Sequence, residues 1–101
     1  MAYEVILAPK AVETFDAIYD QIIARFGENV AKQFNLRVIH ILHTISDTPF
    51  IFKGTRENPN VRKGWVNKNC SFFYEVTGNQ LHVLFFWDNR QEPLMEPDAL
   101  E

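Results

Sequence analysis

Five polar side chains in the second half of the sequence are of the types that bind phosphate or transfer protons. Arg62 and Arg90 each carry a planar guanidinium group, which matches two oxygens of a phosphate group. A carboxylate such as Asp88 accepts a proton, but near neutral pH it donates one only if its pKa is strongly raised. The candidate catalytic residues are Arg62, Arg90, Asp88, His82 and Tyr74.

Each of these side chains also has a structural interpretation. Arg62 could form an ion pair with Asp88 or Glu75, and Asp88 could be no more than one half of a salt bridge. His82 lies among apolar residues, where a core or edge histidine is the usual role. Tyr74 is typical of a buried aromatic side chain that makes one hydrogen bond. The sequence leaves both interpretations open.

Basic residues are concentrated in one short stretch of a chain whose net charge is -3. Glu57 is the one acidic residue within that stretch, whereas the end of the chain is acidic. A basic patch on an acidic protein attracts a phosphate backbone or an acidic peptide, although a solvated loop would have the same composition. The candidate phosphate contacts are Lys53, Arg56, Lys63 and Lys68.

Composition indicates a small single-domain protein. Of its 101 residues 47% are hydrophobic, which supplies enough apolar surface for a core. The apolar runs are far shorter than the roughly 20 residues that cross a bilayer, and the N-terminus lacks a signal-peptide pattern. With Cys70 as the single cysteine, we expect a reduced, cytoplasmic protein without a membrane partner. The sequence has no glycine-rich phosphate loop, so no cofactor is expected. His40 and His43 are spaced to share a metal ion, but the sequence suggests no third metal ligand, so no metal is expected either.

Hydrophobic periodicity predicts the elements that must position these residues. A β-favouring run from Tyr3 to Ala8 ends at Pro9, which suits the first turn of a helix. Apolar residues then recur at helical spacing as far as Phe26 and again from Val30 to Ile45, with Gly27 between them as a C-terminal cap. Two helices joined by so tight a turn should pack antiparallel.

Three strands follow a loop over residues 50–60. The order β-α-α-β-β-β predicts an α+β fold in which the N-terminal strand and the helical hairpin pack on a small antiparallel sheet. Hairpin turns are expected at residues 67–69 and 78–79. The predicted strands are Val61 to Val66, Cys70 to Thr77 and Leu81 to Trp87.

Strict alternation along the last strands places large apolar side chains on both faces of the sheet. The helical hairpin covers one face, so the other requires a protein partner, a second copy of the chain in a homodimer, or the tail from Leu94. In the last strand the two alternating sets are Leu81, Val83, Phe85 and Trp87 against His82, Leu84, Phe86 and Asp88.

Three segments carry a family likeness: Val61-Arg62-Lys63, Cys70 to Val76, and Leu81 to Phe86 followed by Asp88-Asn89-Arg90-Gln91-Glu92-Pro93. With the helical hairpin, they resemble the RelE/ParE toxins of bacterial type II toxin–antitoxin (plasmid stabilisation) systems. The likeness is expected to cover residues 1–93 as one domain. Residues 94–101 then form a C-terminal tail, whose Leu100-Glu101 ending has the form of a cloning remnant.

The resemblance implies a growth-inhibiting toxin that a cognate antitoxin neutralises. RelE-like members cleave mRNA on the ribosome, whereas ParE-like members block DNA gyrase without cutting RNA. RNA cleavage would need a base, an acid and cations around one phosphate, which are the roles open to the five candidate catalytic residues.

Many members of the family carry a histidine where Asp88 stands. The substitution tilts the prediction away from nuclease chemistry, and the alternative is a non-catalytic member that acts only as an antitoxin-binding module. The apolar sheet is the surface that an antitoxin segment could cover. The predicted antitoxin contacts are Phe72, Phe73, Phe86 and Trp87.

Overall fold

A computed structural model describes residues 2–90 of the chain. Helices and strands follow in the predicted order, β1-α1-α2-β2-β3-β4. Residues 91–101, which include the end of the family-like segment and the predicted tail, lie outside the described residues. The bounds are β1 Glu4–Leu7, α1 Pro9–Phe26, α2 Glu28–Asp47, β2 Val61–Asn67, β3 Cys70–Thr77 and β4 Gln80–Asp88.

A single residue, Gly27, separates the two helices and turns them into a hairpin. Its φ of 93° lies in the left-handed region, which glycine adopts without the steric cost of a Cβ. Its N–H donates to the carbonyl oxygen of Ile23 at 2.9 Å and caps α1. α2 ends just before Pro49, where helical geometry is disfavoured. Neither helix of residues 2–90 is long and apolar enough to cross a membrane.

The four strands form one mixed sheet in the order β1-β4-β3-β2. As predicted, β2, β3 and β4 are antiparallel neighbours. β1 differs, because it pairs with the edge of β4 that faces away from β3 and runs parallel to β4, with Val5 opposite Leu81. Parallel strands need a long connection, and here both helices and two strands lie between β1 and β4.

A β-bulge reverses the faces of the sheet toward which the side chains at the end of β4 point. Leu84 has no partner in β3, because the register shifts between Phe73 and Tyr74. The strict alternation predicted for β4 is therefore wrong beyond Val83, since a bulge adds one residue to the strand. Phe86 packs in the core beneath the helices, and Phe85 lies on the opposite face.

The core lies between the helical hairpin and one face of the sheet. Phe72 is fully buried at its centre, with ring centroids 6.2 Å from Phe52, 5.6 Å from Tyr74 and 5.9 Å from Phe86. From α1, Phe15 approaches Phe86 at 5.7 Å. We call the face that carries Phe72 the inner face of the sheet and the opposite one the outer face.

Candidate functional site

Arg62 and Tyr74 are neighbours across β2 and β3 on the inner face, where they hold the loop after α2. Arg62 Nη1 donates to the carbonyl oxygen of Phe52 at 2.6 Å, and its guanidinium carbon lies 4.7 Å from the centroid of the Phe50 ring. Tyr74 Oη donates to the carbonyl oxygen of Pro49 at 2.7 Å. Burial raises the pKa of Tyr74 to about 12, so the phenol stays neutral near pH 7. Both side chains are engaged in fixing the loop backbone.

Asp88 and Arg90 form an ion pair at the end of β4. Arg90 donates from Nη2 to Asp88 Oδ2 at 2.6 Å and from Nε to Asp88 Oδ1 at 2.9 Å. The backbone N–H of Arg90 also donates to Oδ1, at 2.9 Å. Hydrogen bonds from the Arg90 side chain hold the pKa of the Asp88 carboxyl below its usual range, although partial burial opposes this. An aspartate that stays ionised cannot serve as a general acid near neutral pH.

We expect the Asp88–Arg90 pair to stabilise the fold in a pH-dependent way. Because the folded-state pKa of Asp88 is lowered, its contribution is present above the unfolded pKa of about 4 and is lost as the pH falls through the folded value. Asp88→Asn should therefore lower the free energy of unfolding by about 1 kcal/mol at pH 7. Urea unfolding from pH 7 to 3 should show this difference shrinking at the acidic end. A difference that is constant with pH, or equalled by Asp20→Asn on the exposed side of α1, would contradict the assignment.

The ion pair lines a pocket of about 260 Å³ between the helical hairpin and the sheet. Arg37 also lines it, and its Nε donates to the carbonyl oxygen of Val66. The pocket also has an apolar part. Its lining side chains from α1 and α2 are Ile18, Ile22, Phe26, Val30 and Phe34.

Cys70 lies on the wall of this pocket and is almost fully buried. Burial, and then the negative charge of Asp88, raise the pKa of its thiol to about 12. Because the thiolate is the reactive form, we expect Cys70 in the native protein at pH 8 to react slowly with dithionitrobenzoate. The same cysteine should react rapidly in urea. Equal rates in the two conditions would contradict this prediction.

The five candidate catalytic residues do not surround one site. Tyr74 and Cys70 are four residues apart along β3, which is about 13 Å of strand, and Asp88 is opposite Cys70. Arg62, opposite Tyr74, therefore lies near one end of the sheet and Arg90 beyond the other. The two arginines do not occupy the neighbouring positions that a shared phosphate would require.

His82 is separate from the other four candidates. It lies on the outer face, opposite Glu75 in β3 and Ile6 in β1. His40 and His43 are exposed on α2, where His43 Nδ1 lies 3.9 Å from a carboxylate oxygen of Asp47. Within residues 2–90, no group of three or more His, Cys, Asp or Glu side chains is placed to hold one metal ion.

The candidate phosphate contacts do not form one surface either. Lys53 and Arg56 are exposed in the loop beside the start of β2, whereas Lys68 is exposed in the turn at the other end of that strand. Lys63 is 2% exposed on the outer face, with its ammonium 4.6 Å from the centroid of the Trp65 ring. Lys63 is thus not accessible to phosphate in this structure, and a phosphate contact remains a prediction for the three exposed residues.

The predicted antitoxin contacts are divided between the two faces. Phe72 and Phe86 belong to the inner face and are buried beneath the helices. Phe73 and Trp87 belong to the outer face, where Phe73 is fully buried. These four side chains cannot form one continuous binding surface while the helices remain in place.

Exposed apolar side chains on the helical hairpin were missed at the sequence level. Two of them, Val12 and Ile39, line a second pocket of about 180 Å³ together with Leu7 of β1. Ile39 is 55% exposed, and Leu36 one turn earlier is also exposed. The signal was present in the sequence, because Leu36 and Ile39 fall outside the apolar stripe of α2 that includes Phe34, Val38 and Ile45.

The sequence matches the family model described as the ParE toxin of the type II toxin–antitoxin system, parDE, over residues 5–93. The chain belongs to this family. The fold of this ParE-family chain is shared with a structure titled "Chromosomal ParDE TA system from P. aeruginosa". The TM-score is 0.73 at 20% identity, covering 86% of this chain and 96% of that one.

Two further structures share the fold with this ParE-family chain. The YoeB dimer from Staphylococcus aureus has a TM-score of 0.57 at 12% identity, covering 84% of this chain and 94% of that chain. The conserved hypothetical protein HP0894 from Helicobacter pylori has a TM-score of 0.58 at 16% identity, with coverages of 87% and 96%. No curated protein sequence matches the chain. At these identities the likeness confirms the predicted RelE/ParE-like fold.

Proposed function

We propose that this ParE-family toxin arrests growth by binding DNA gyrase rather than by cleaving RNA, and that a cognate antitoxin neutralises it. The proposal rests on the observation that candidate catalytic side chains are already hydrogen-bonded to other groups of the protein. Arg62 and Tyr74 bond to loop carbonyl oxygens, and Asp88 is bonded through both carboxylate oxygens to Arg90. These contacts support a mechanism that does not use them for chemistry.

RNA cleavage by 2′-hydroxyl attack makes demands that the described residues meet poorly. A base, an acid and a cation must converge on one phosphate. Asp88 is held ionised by Arg90, and His82 lies on the other face of the sheet. Inhibition by binding requires an exposed contact surface instead, and the helical hairpin offers exposed apolar side chains for one.

The antitoxin partner is proposed from the family and from the ParDE pair named among the similar structures. The apolar pocket around Ile39, with Leu7 and Val12 exposed at its border, is the surface best suited to an amphipathic helix of such a partner. Its apolar lining would be removed from water by a helix laid along α1 and α2.

We expect Ile39→Ala to weaken binding of the antitoxin by about tenfold, which corresponds to about 1.4 kcal/mol. The reason is the loss of an exposed apolar contact in the lining of the pocket. Calorimetric titration with the protein encoded by the adjacent open reading frame measures the affinity. Lys68→Ala, in the exposed turn between β2 and β3 and outside this pocket, is the control and should bind normally. Unchanged affinity of the Ile39 variant would mean that the antitoxin does not bind this surface.

The test of the proposed function is induced expression in a bacterium. We expect growth arrest, rescue by co-expression of the adjacent open reading frame, and intact messages by primer extension from the arrested cells. Codon-associated cuts would contradict the proposal and indicate a ribosome-dependent nuclease. Normal growth with a soluble, folded product that still forms a stable complex would instead support the antitoxin-binding module.

A further inference from the structure

The loop over residues 48–60, between α2 and β2, exposes two consecutive large apolar side chains. Phe50 is 58% exposed and Ile51 is 57% exposed. Contact with water is unfavourable for such side chains, so two adjacent ones on a small protein form a candidate contact with a partner. Neither of them lines either of the two pockets described above. The exposed pair is therefore separate from the surface assigned to the antitoxin.

Hydrogen bonds hold the backbone of this loop on both sides of the exposed pair. Tyr74 Oη donates to the carbonyl oxygen of Pro49 at 2.7 Å, and Arg62 Nη1 donates to that of Phe52 at 2.6 Å. The Phe52 side chain packs against the core. A loop that is already ordered loses little conformational entropy on binding, and this favours affinity.

Thr55 fixes the second half of the loop. It is fully buried, its N–H donates to the carbonyl oxygen of Val61 at 2.8 Å, and its hydroxyl donates to that of Asn58 at 2.8 Å. Lys53 and Arg56, on either side of Thr55 along the chain, are both exposed. These two cations therefore extend into solvent from a backbone that is held in place.

The charge next to the exposed pair is positive, although the whole chain has a net charge of -3. The guanidinium carbon of Arg62 lies 4.7 Å from the centroid of the Phe50 ring, and Lys53 follows Ile51 by two residues. Apolar anchors beside cations are complementary to an apolar pocket bordered by carboxylates. Nucleic acid would match the charge as well, but the aliphatic side chain of Ile51 cannot stack on a base as an aromatic ring does. A protein partner fits both members of the pair.

We infer that the exposed pair Phe50-Ile51 contacts the inhibited enzyme and enters an apolar pocket there that is bordered by carboxylates. Lys53 and Arg56 face those carboxylates, which gives them a protein contact in place of a phosphate contact. The inference rests on the proposed function, in which the enzyme is DNA gyrase. It adds the part of the chain that binds the enzyme and the chemistry of the complementary surface.

Inhibition of supercoiling by Phe50→Ala tests the inference. The full chain is titrated into DNA gyrase with relaxed plasmid, and half-inhibition should require about tenfold more of the variant or higher, because aromatic anchors dominate interface energies. Phe26→Ala is the matched control, since Phe26 is 59% exposed on the helical hairpin, and it should change this concentration less than about twofold. Both variants should unfold at nearly the wild-type urea concentration, because both rings are exposed.

The possible failures of this experiment are distinguishable. If Phe50→Ala inhibits gyrase as strongly as the wild-type chain, the inference is overturned and the proposed function stands. If Phe26→Ala weakens inhibition as much as Phe50→Ala, the contact is not specific to the loop and the inference is overturned. If the wild-type chain does not inhibit gyrase, the proposed function is wrong, and the target named here is wrong with it.

Charge reversal is a second test that leaves the apolar pair intact. Lys53→Glu should raise the half-inhibiting concentration about fivefold, and added salt should narrow its difference from the wild type. Lys32→Glu changes the net charge equally but lies about 22 Å along α2 from the end of that helix. It should leave inhibition nearly unchanged. Equal shifts for the two variants would mean that net charge rather than the loop governs binding, and would overturn the inference.

Binding of nucleic acid is measured separately, by fluorescence anisotropy of a labelled single-stranded oligonucleotide. We expect the wild-type chain and Phe50→Ala to give the same weak signal. Oligonucleotide binding that Phe50→Ala abolishes, with inhibition of gyrase unchanged, would assign the loop to nucleic acid and overturn the inference. A dimer of the wild-type chain that the same substitution dissociates would overturn it as well.

Discussion

Replacing Phe72 with alanine is expected to lower the free energy of unfolding by about 3–5 kcal/mol. The ring is fully buried and packs against Phe52, Tyr74 and Phe86. Its removal forfeits the transfer free energy of the side chain and leaves a cavity that three other rings cannot easily fill. A domain of this size is stable by only about 5–15 kcal/mol, so this variant should unfold at much lower urea concentration.

Equilibrium urea unfolding followed by circular dichroism measures this effect. The matched control is Phe26→Ala, because Phe26 is 59% exposed at the end of α1. We expect the control to change the free energy of unfolding by about 0.5 kcal/mol or less. Similar losses for the two variants would mean that Phe72 is not at the centre of the core.

Replacing Gly64 with valine is expected to cost about 3 kcal/mol, the upper part of the range for overpacking. Gly64 lies on the edge strand β2 opposite Phe72, and a Cβ added there would be 2.4 Å from Cζ of the Phe72 ring. The ring cannot withdraw, since it is enclosed by other aromatic side chains. An aromatic ring packed over a glycine on the neighbouring strand is a known way to stabilise such a position.

A double-mutant comparison separates the steric cause from a general effect of valine in β2. In the background of Phe72→Leu, Gly64→Val should cost clearly less, because the shorter side chain leaves room for the added methyl groups. The control Thr77→Val, at an exposed position of β3, should be nearly neutral. An equal cost of Gly64→Val in both backgrounds would contradict the steric explanation.

Much of the fold was predictable because local signals agreed with it. Helical periodicity, Pro9, Gly27 and the glycine-containing turn after Thr77 gave the elements within one or two residues. The parallel pairing of β1 was not predictable, because strand direction depends on how the hairpin returns the chain to the sheet. The bulge at Leu84 was missed for a similar reason, since the alternation of apolar residues continues through it.

The candidate site was less predictable than the fold. Arg62 and Tyr74 bind backbone carbonyl oxygens of the loop after α2, and no side-chain pattern in a sequence reveals such acceptors. Asp88 was predicted as one half of a salt bridge, with Arg62 as a possible partner, but the structure pairs it with Arg90 instead. The burial of Lys63 was not predicted, because lysine is rarely fully buried and this one lies in a basic stretch of the sequence.

The central proposal is inhibition of gyrase by binding, and a supercoiling assay tests it most directly. Purified protein is titrated into DNA gyrase with relaxed plasmid, and a parallel reaction contains translating ribosomes with a labelled message. We predict that supercoiling stops as the protein approaches the concentration of gyrase, that the antitoxin restores it, and that the message stays intact. Undiminished supercoiling together with cleavage of the message would contradict the proposal.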